Sequence, residues 1–131
     1  MTRKVSVIGS GSWGTALATV LVNNGYEVSL WGHLEEEIAI IKKNKENTIY
    51  LPGFKLSDKI EPTNSLEECL KDSRIILMVV PTHAFRIVFN DICKYLNDGR
   101  IIINASKGIE NNSLMTMSQI ISELLSKYNI N

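Results

Sequence analysis

Gly9-Ser10-Gly11-Ser12-Trp13-Gly14 sets three glycines at the spacing Gly-x-Gly-x-x-Gly, between the run Val5-Ser6-Val7-Ile8 and an apolar stretch opening with Thr15-Ala16. A strand that turns sharply into a helix through this spacing can hold a dinucleotide pyrophosphate. Gly9 permits the tight turn out of the strand, and Gly14 lets the helix lie close to it. At Gly11 a Cβ would block the approach of the pyrophosphate to the backbone. The free N–H groups of the first helical turn and the positive end of its dipole then hold the anion. An ordinary glycine-rich βα turn is the alternative.

The tip of the second strand is where such a site reads the adenosine ribose. Leu30-Trp31 is followed there by Gly32-His33, with no Asp or Glu to bind a 2′-hydroxyl or repel a 2′-phosphate. His33 can donate to a phosphate, which tilts the cofactor toward NADPH or toward acceptance of both NADPH and NADH. An unremarkable loop histidine is the other reading. Glu35, Glu36 and Glu37 could oppose that tilt, but they suit the first turn of the next helix, where negative charge meets the dipole.

Two further tips face the same crevice. After Val80-Pro81, Thr82 is placed to cap a helix, Phe85 lies against a nicotinamide or ribose or in the core, and His83 is an acid–base candidate or a solvated residue. After Ile103-Asn104, the segment Ala105-Ser106-Lys107-Gly108 presents a lysine whose ammonium can bind a substrate phosphate or stabilise charge on a carbonyl oxygen. A lysine merely exposed after a strand is the alternative.

The elements that must position these groups alternate. Strands are expected near 3–8, 27–31, 59–62, 74–80 and 100–105, and helices near 12–24, 34–44, 65–71, 82–96 and 113–126. This order predicts an α/β fold: a Rossmann-like, doubly wound parallel sheet in a three-layer αβα arrangement. The first helix carries the stripe Trp13, Ala16, Leu17, Val20 and Leu21, and Gly25 stands where a left-handed cap closes it. The last helix carries Leu114, Met117, Ile120, Ile121, Leu124 and Leu125, with Ser113 as N-cap. Residues 45–58 form the one long irregular connection, with a turn at Pro52-Gly53.

The 131 residues suit one domain, 1–131. Fourteen basic and fourteen acidic residues leave no net charge, which argues against a general nucleic-acid or acidic-membrane surface. No apolar run reaches the ~20 residues of a membrane span. Cys69 and Cys93 have neither metal-ligand spacing nor a disulfide framework, so no metal site is expected and both are read as small apolar fillers of a cytoplasmic protein.

Taken together, the chain resembles the N-terminal domain of bacterial NAD(P)-dependent glycerol-3-phosphate dehydrogenase. The resemblance rests on Gly9-Ser10-Gly11-Ser12-Trp13-Gly14-Thr15-Ala16-Leu17-Ala18, Leu30-Trp31-Gly32-His33, Asn47-Thr48-Ile49-Tyr50-Leu51-Pro52-Gly53, Val79-Val80-Pro81-Thr82-His83 and Ala105-Ser106-Lys107-Gly108-Ile109-Glu110, in that order. It implies cofactor contacts at Ser12, Trp13, His33, Tyr50 and Lys107, with Lys107 also touching substrate. The reaction implied is reduction of dihydroxyacetone phosphate to sn-glycerol 3-phosphate, which feeds glycerophospholipid synthesis. It further implies a helical C-terminal domain that supplies the general acid–base lysine; a homodimer of the full-length protein is compatible with it. No residue of this chain takes that lysine's role, so the chain is expected to be a cofactor-binding half that does not turn over alone. A non-catalytic NAD(P)-binding regulatory module and a different reductase on the same fold are the rival readings.

Overall fold

The computed structural model describes residues 3–131. Five parallel strands, β1 (Lys4–Ile8), β2 (Glu27–Trp31), β3 (Ile60–Thr63), β4 (Ile75–Met78) and β5 (Ile101–Asn104), form one sheet in the order β3-β2-β1-β4-β5. The helices are α1 (Ser12–Asn23), α2 (Glu35–Asn44), α3 (Leu66–Leu70), α4 (Thr82–Cys93) and α5 (Met117–Lys127). This is the expected doubly wound architecture. The chain reverses its direction of travel across the sheet between β1 and β4, so a crevice opens beyond their carboxyl ends.

Strand alternation divides the core in two. Ile8, Ile76 and Met78 face one side with Phe85, Phe89, Ile92, Met117 and Ile120 of α4 and α5. Val5, Val7, Leu30 and Leu77 face the other with Ala18 of α1 and Ile38 and Ile41 of α2. The interior of β4 is apolar on both faces because helices cover both. Pro62 is tolerated in β3 because that strand lies at the sheet edge.

Several boundaries depart from the expectation. In α1 the buried line is Gly14, Thr15 and Ala18, while Trp13 and Val20 of the apolar stripe are more than half exposed. Small residues line the contact because the helix presses directly on β1. Pro81, not Thr82, is the N-cap of α4, since the Thr82 hydroxyl is turned to the Lys107 carbonyl. The last helix starts at Met117 rather than near 113. Leu114 adopts a left-handed φ of 60° and is 73% exposed, and Ser113 bonds to Glu110 and the Met115 amide instead of capping. Thr116 is the true N-cap, in a reciprocal capping box with Gln119. Gly25 behaves as expected: its φ is 91°, its amide donates to Val22 O, and Tyr26 N–H donates to Leu21 O.

Candidate functional site

Three glycines make the β1–α1 turn for three different reasons. Gly9 has φ +129°, and an added Cβ would lie 2.3 Å from the Val79 carbonyl oxygen of the neighbouring strand end. Its amide donates to Trp31 O at 2.9 Å, which keeps the turn level with the tip of β2. Gly14 is forced by close approach, since a Cβ there would lie 1.9 Å from Gly9 O. Gly11 is unlike both: its φ is −72°, and a Cβ would meet nothing within 4 Å. The protein's own packing therefore leaves room for a Cβ at 11. The space above Gly11 opens where α1 begins without a side-chain cap and without an acidic residue in its first turn. A cradle of backbone amides at a helix start suits an anion.

Ser10 is buried beneath this turn, while Ser12 and Trp13 are exposed on the first turn of α1. Below it lies a residue to which the sequence reading gave no role. Asn47, 2% exposed, donates from Nδ2 to Ser10 O at 2.8 Å and to Thr15 Oγ1 at 2.9 Å. It belongs to the irregular connection after α2, and its Oδ1 accepts from the Tyr50 amide at 3.2 Å. Only its Asn-x-x-Tyr spacing hinted at this, because a lone Asn in a loop reads as turn chemistry.

Beyond the tip of β2, His33 is exposed, its ring 6.2 Å from that of Trp31. Asn64, also missed by sequence reasoning, holds this corner by donating to Gly32 O at 3.0 Å and His33 O at 2.8 Å. Glu35, Glu36 and Glu37 occupy the first turn of α2 as the dipole argument required. The Tyr50 hydroxyl donates to Glu37 Oε1 at 2.8 Å, and that bond raises the Tyr50 pKa above its ordinary value. The Glu37 carboxylate is thus engaged by the Tyr50 phenol.

Beyond the tip of β5, the segment carrying Lys107 is latched to the start of α4. Val80 N–H donates to Ser106 Oγ at 3.0 Å, the Thr82 hydroxyl donates to Lys107 O, and Gly108, at φ +108°, packs against Thr82. Arg86 closes the latch with a two-pronged bond to Glu110, at 2.8 and 3.0 Å, and reaches Glu123 at 3.1 Å. The guanidinium holds the Glu110 carboxyl below its usual range, helped by Ser113. Lys107 itself is exposed. His83 is exposed too. Phe85 is wholly buried, its ring stacked near Phe89 at 6.1 Å. The structure therefore shows the core role for Phe85 and leaves no ring face open to a nicotinamide.

The chain as a whole is similar to known proteins. The family described as NAD-dependent glycerol-3-phosphate dehydrogenase N-terminus matches residues 4–131. A glycerol-3-phosphate dehydrogenase [NAD(P)+] of Desulfotalea psychrophila is 44% identical over 128 residues, 98% of this chain and 38% of the relative. The crystal structure of glycerol-3-phosphate dehydrogenase from Coxiella burnetii superposes with a TM-score of 0.90 at 27% identity, covering 95% of this chain and 38% of that one. The enzyme from Saccharomyces cerevisiae gives a TM-score of 0.74 at 32% identity, over 96% and 40% of the two chains. The chain therefore spans little more than a third of the length of the curated relative quoted. With its doubly wound sheet, glycine turn and strand-tip lysine, the chain belongs to the NAD-dependent glycerol-3-phosphate dehydrogenase N-terminal family.

Proposed function

We propose that this chain is the cofactor-binding domain of an NAD(P)-dependent glycerol-3-phosphate dehydrogenase. Its substrates are dihydroxyacetone phosphate and sn-glycerol 3-phosphate, it works in the cytoplasm, and its product enters glycerophospholipid synthesis. The observation that carries the reading is the open space over Gly11 at an uncapped helix start, in a chain of this family.

The residues present fit a nicotinamide dinucleotide. Gly9 to Gly14 would hold the pyrophosphate on main-chain amides, with Ser12 and Trp13 beside it. His33 and Tyr50 would border the adenosine ribose. When bound, the nicotinamide supplies the hydride, and the chain's task is binding and orientation. Lys107, held by the latch to α4, would bind the substrate phosphate or carbonyl oxygen as a point charge. The proton donor to the oxygen would come from a helical domain that follows this one, so the chain alone is expected to bind cofactor without turnover.

Titrating the 131-residue chain with NADH and with NADPH, by nicotinamide fluorescence, should give saturable binding to at least one. A longer version carrying a helical domain should oxidise the reduced cofactor with dihydroxyacetone phosphate. Oxidation with a hydroxy-acid precursor or an imine in its place would favour another reductase. Binding with no turnover in the longer version would favour a regulatory module.

A further inference from the structure

We infer that Asn47 is a positioning residue of the dinucleotide site, fixing the turn that receives the pyrophosphate and the loop that carries Tyr50 in one arrangement; this rests on the cofactor reading above. A primary amide offers two donors and an acceptor without charge. Asn47 places both donor bonds on the glycine turn, at Ser10 O and Thr15 Oγ1, and its acceptor on the Tyr50 amide. The Asn47 carbonyl also accepts from the Leu51 amide at 2.9 Å, so the loop folds around this one residue.

The bond to Ser10 O bears on the site through peptide geometry. The Ser10 carbonyl and the Gly11 N–H belong to one planar unit, and in a trans peptide they point in opposite directions. No cis bond occurs among the described residues. Drawing the Ser10 oxygen inward to a buried amide therefore turns the Gly11 N–H outward. The same side chain, through Tyr50 N–H, sets the loop whose phenol meets Glu37 at the adenosine edge. One buried amide thus joins the two halves of the site.

The test is a double-substitution cycle on the 131-residue chain, with NADPH as probe and circular dichroism to report folding. Asn47→Asp keeps the shape but loses both donors and sets a carboxylate against the Ser10 carbonyl. It should weaken NADPH by about tenfold, the scale of one lost hydrogen bond in a buried site. In a Tyr50→Ala background the same substitution should cost distinctly less, because the phenol that the loop delivers to the site is already gone. A merely structural asparagine would cost the same factor in both backgrounds. Should Asn47→Asp fail to fold, Thr15→Val carries the test: at nearly constant volume it removes one of the amide's acceptors, and with it the long 3.5 Å bond from the Thr15 hydroxyl to Ser10 O. Its expected loss is about threefold, again smaller with Tyr50→Ala. A folded variant that binds like the original chain, or equal losses in both backgrounds, overturns the inference and leaves the cofactor reading standing. Failure of the unsubstituted chain to bind either dinucleotide overturns that reading and the inference with it.

Discussion

Gly9, Gly11 and Gly14 show how one residue type serves unrelated physical ends. Gly9 and Gly14 are required by the protein itself, because a Cβ would strike backbone at 2.3 and 1.9 Å, whereas Gly11 faces open space. That contrast separates fold from function at single-residue resolution. His33 offers the next discrimination. It stands exposed where an acidic residue would select against a 2′-phosphate. His33→Glu should weaken NADPH more than NADH, by about tenfold in the ratio of dissociation constants, because a carboxylate repels the phosphate but can accept from a ribose hydroxyl. Paired titrations check this, and equal losses would show that His33 does not face the 2′-position. The glycine turn was legible in the sequence because its spacing is local. Asn47 and Asn64 were not, since the bonds by which they hold the glycine turn and the β2 tip join residues more than thirty positions apart, which no local pattern encodes.

Among the elements, the alternation of strands and helices was readable because period two and period 3.6 are distinct over short windows. The orientation of α1 was legible only in part. Periodicity finds apolar residues but cannot tell that the side pressed to the sheet must be small, so of the expected stripe Leu17 and Leu21 pack against the core while Trp13 and Val20 lie more than half exposed. The start of α5 erred for a related reason. Ser113 and Thr116 are both acceptable caps, but only Thr116 has Gln119 three residues on, and that pairing was the available signal. Thr116→Ala should therefore cost about 1 kcal/mol of stability, or about 4 °C in Tm, while Ser113→Ala should cost clearly less. Thermal melts of both variants decide it, and a larger loss at Ser113 would contradict the capping assignment. Where α4 meets the Lys107 segment, the energetics are electrostatic. Glu110 titrates lower in the folded chain than its ordinary value. The stabilisation from its pairing with Arg86 is thus present above the unfolded carboxylate pKa and is lost as pH falls through the lowered one. Acid should loosen this latch, and Glu110→Gln should flatten the loss of stability on acidification.

At the scale of the molecule, the sheet order puts four of the candidate segments beyond the carboxyl ends of neighbouring strands. Gly9 follows β1, His33 follows β2, Val80 and Thr82 follow β4, and Lys107 follows β5. The cysteines lie in the core on the side of the sheet covered by α4 and α5. Burial pushes the Cys69 thiol up to about 12 and Cys93 to about 11, so neither is a thiolate near neutral pH. A chromogenic disulfide reagent in mildly alkaline buffer should leave both unmodified in the native chain and titrate both after denaturation. Fast native reaction would show that the α3 and α4 packing is open. The central claim concerns the space over Gly11, and Gly11→Val tests it most directly. The protein's own atoms leave room for a Cβ there, so the variant should fold, with a melting temperature lowered by a few degrees because valine is a poorer N-cap than glycine. Its affinity for NADH and NADPH should nevertheless fall by about a hundredfold or more, because the valine occupies the place of the pyrophosphate. Titration curves that overlay those of the original chain would contradict the account.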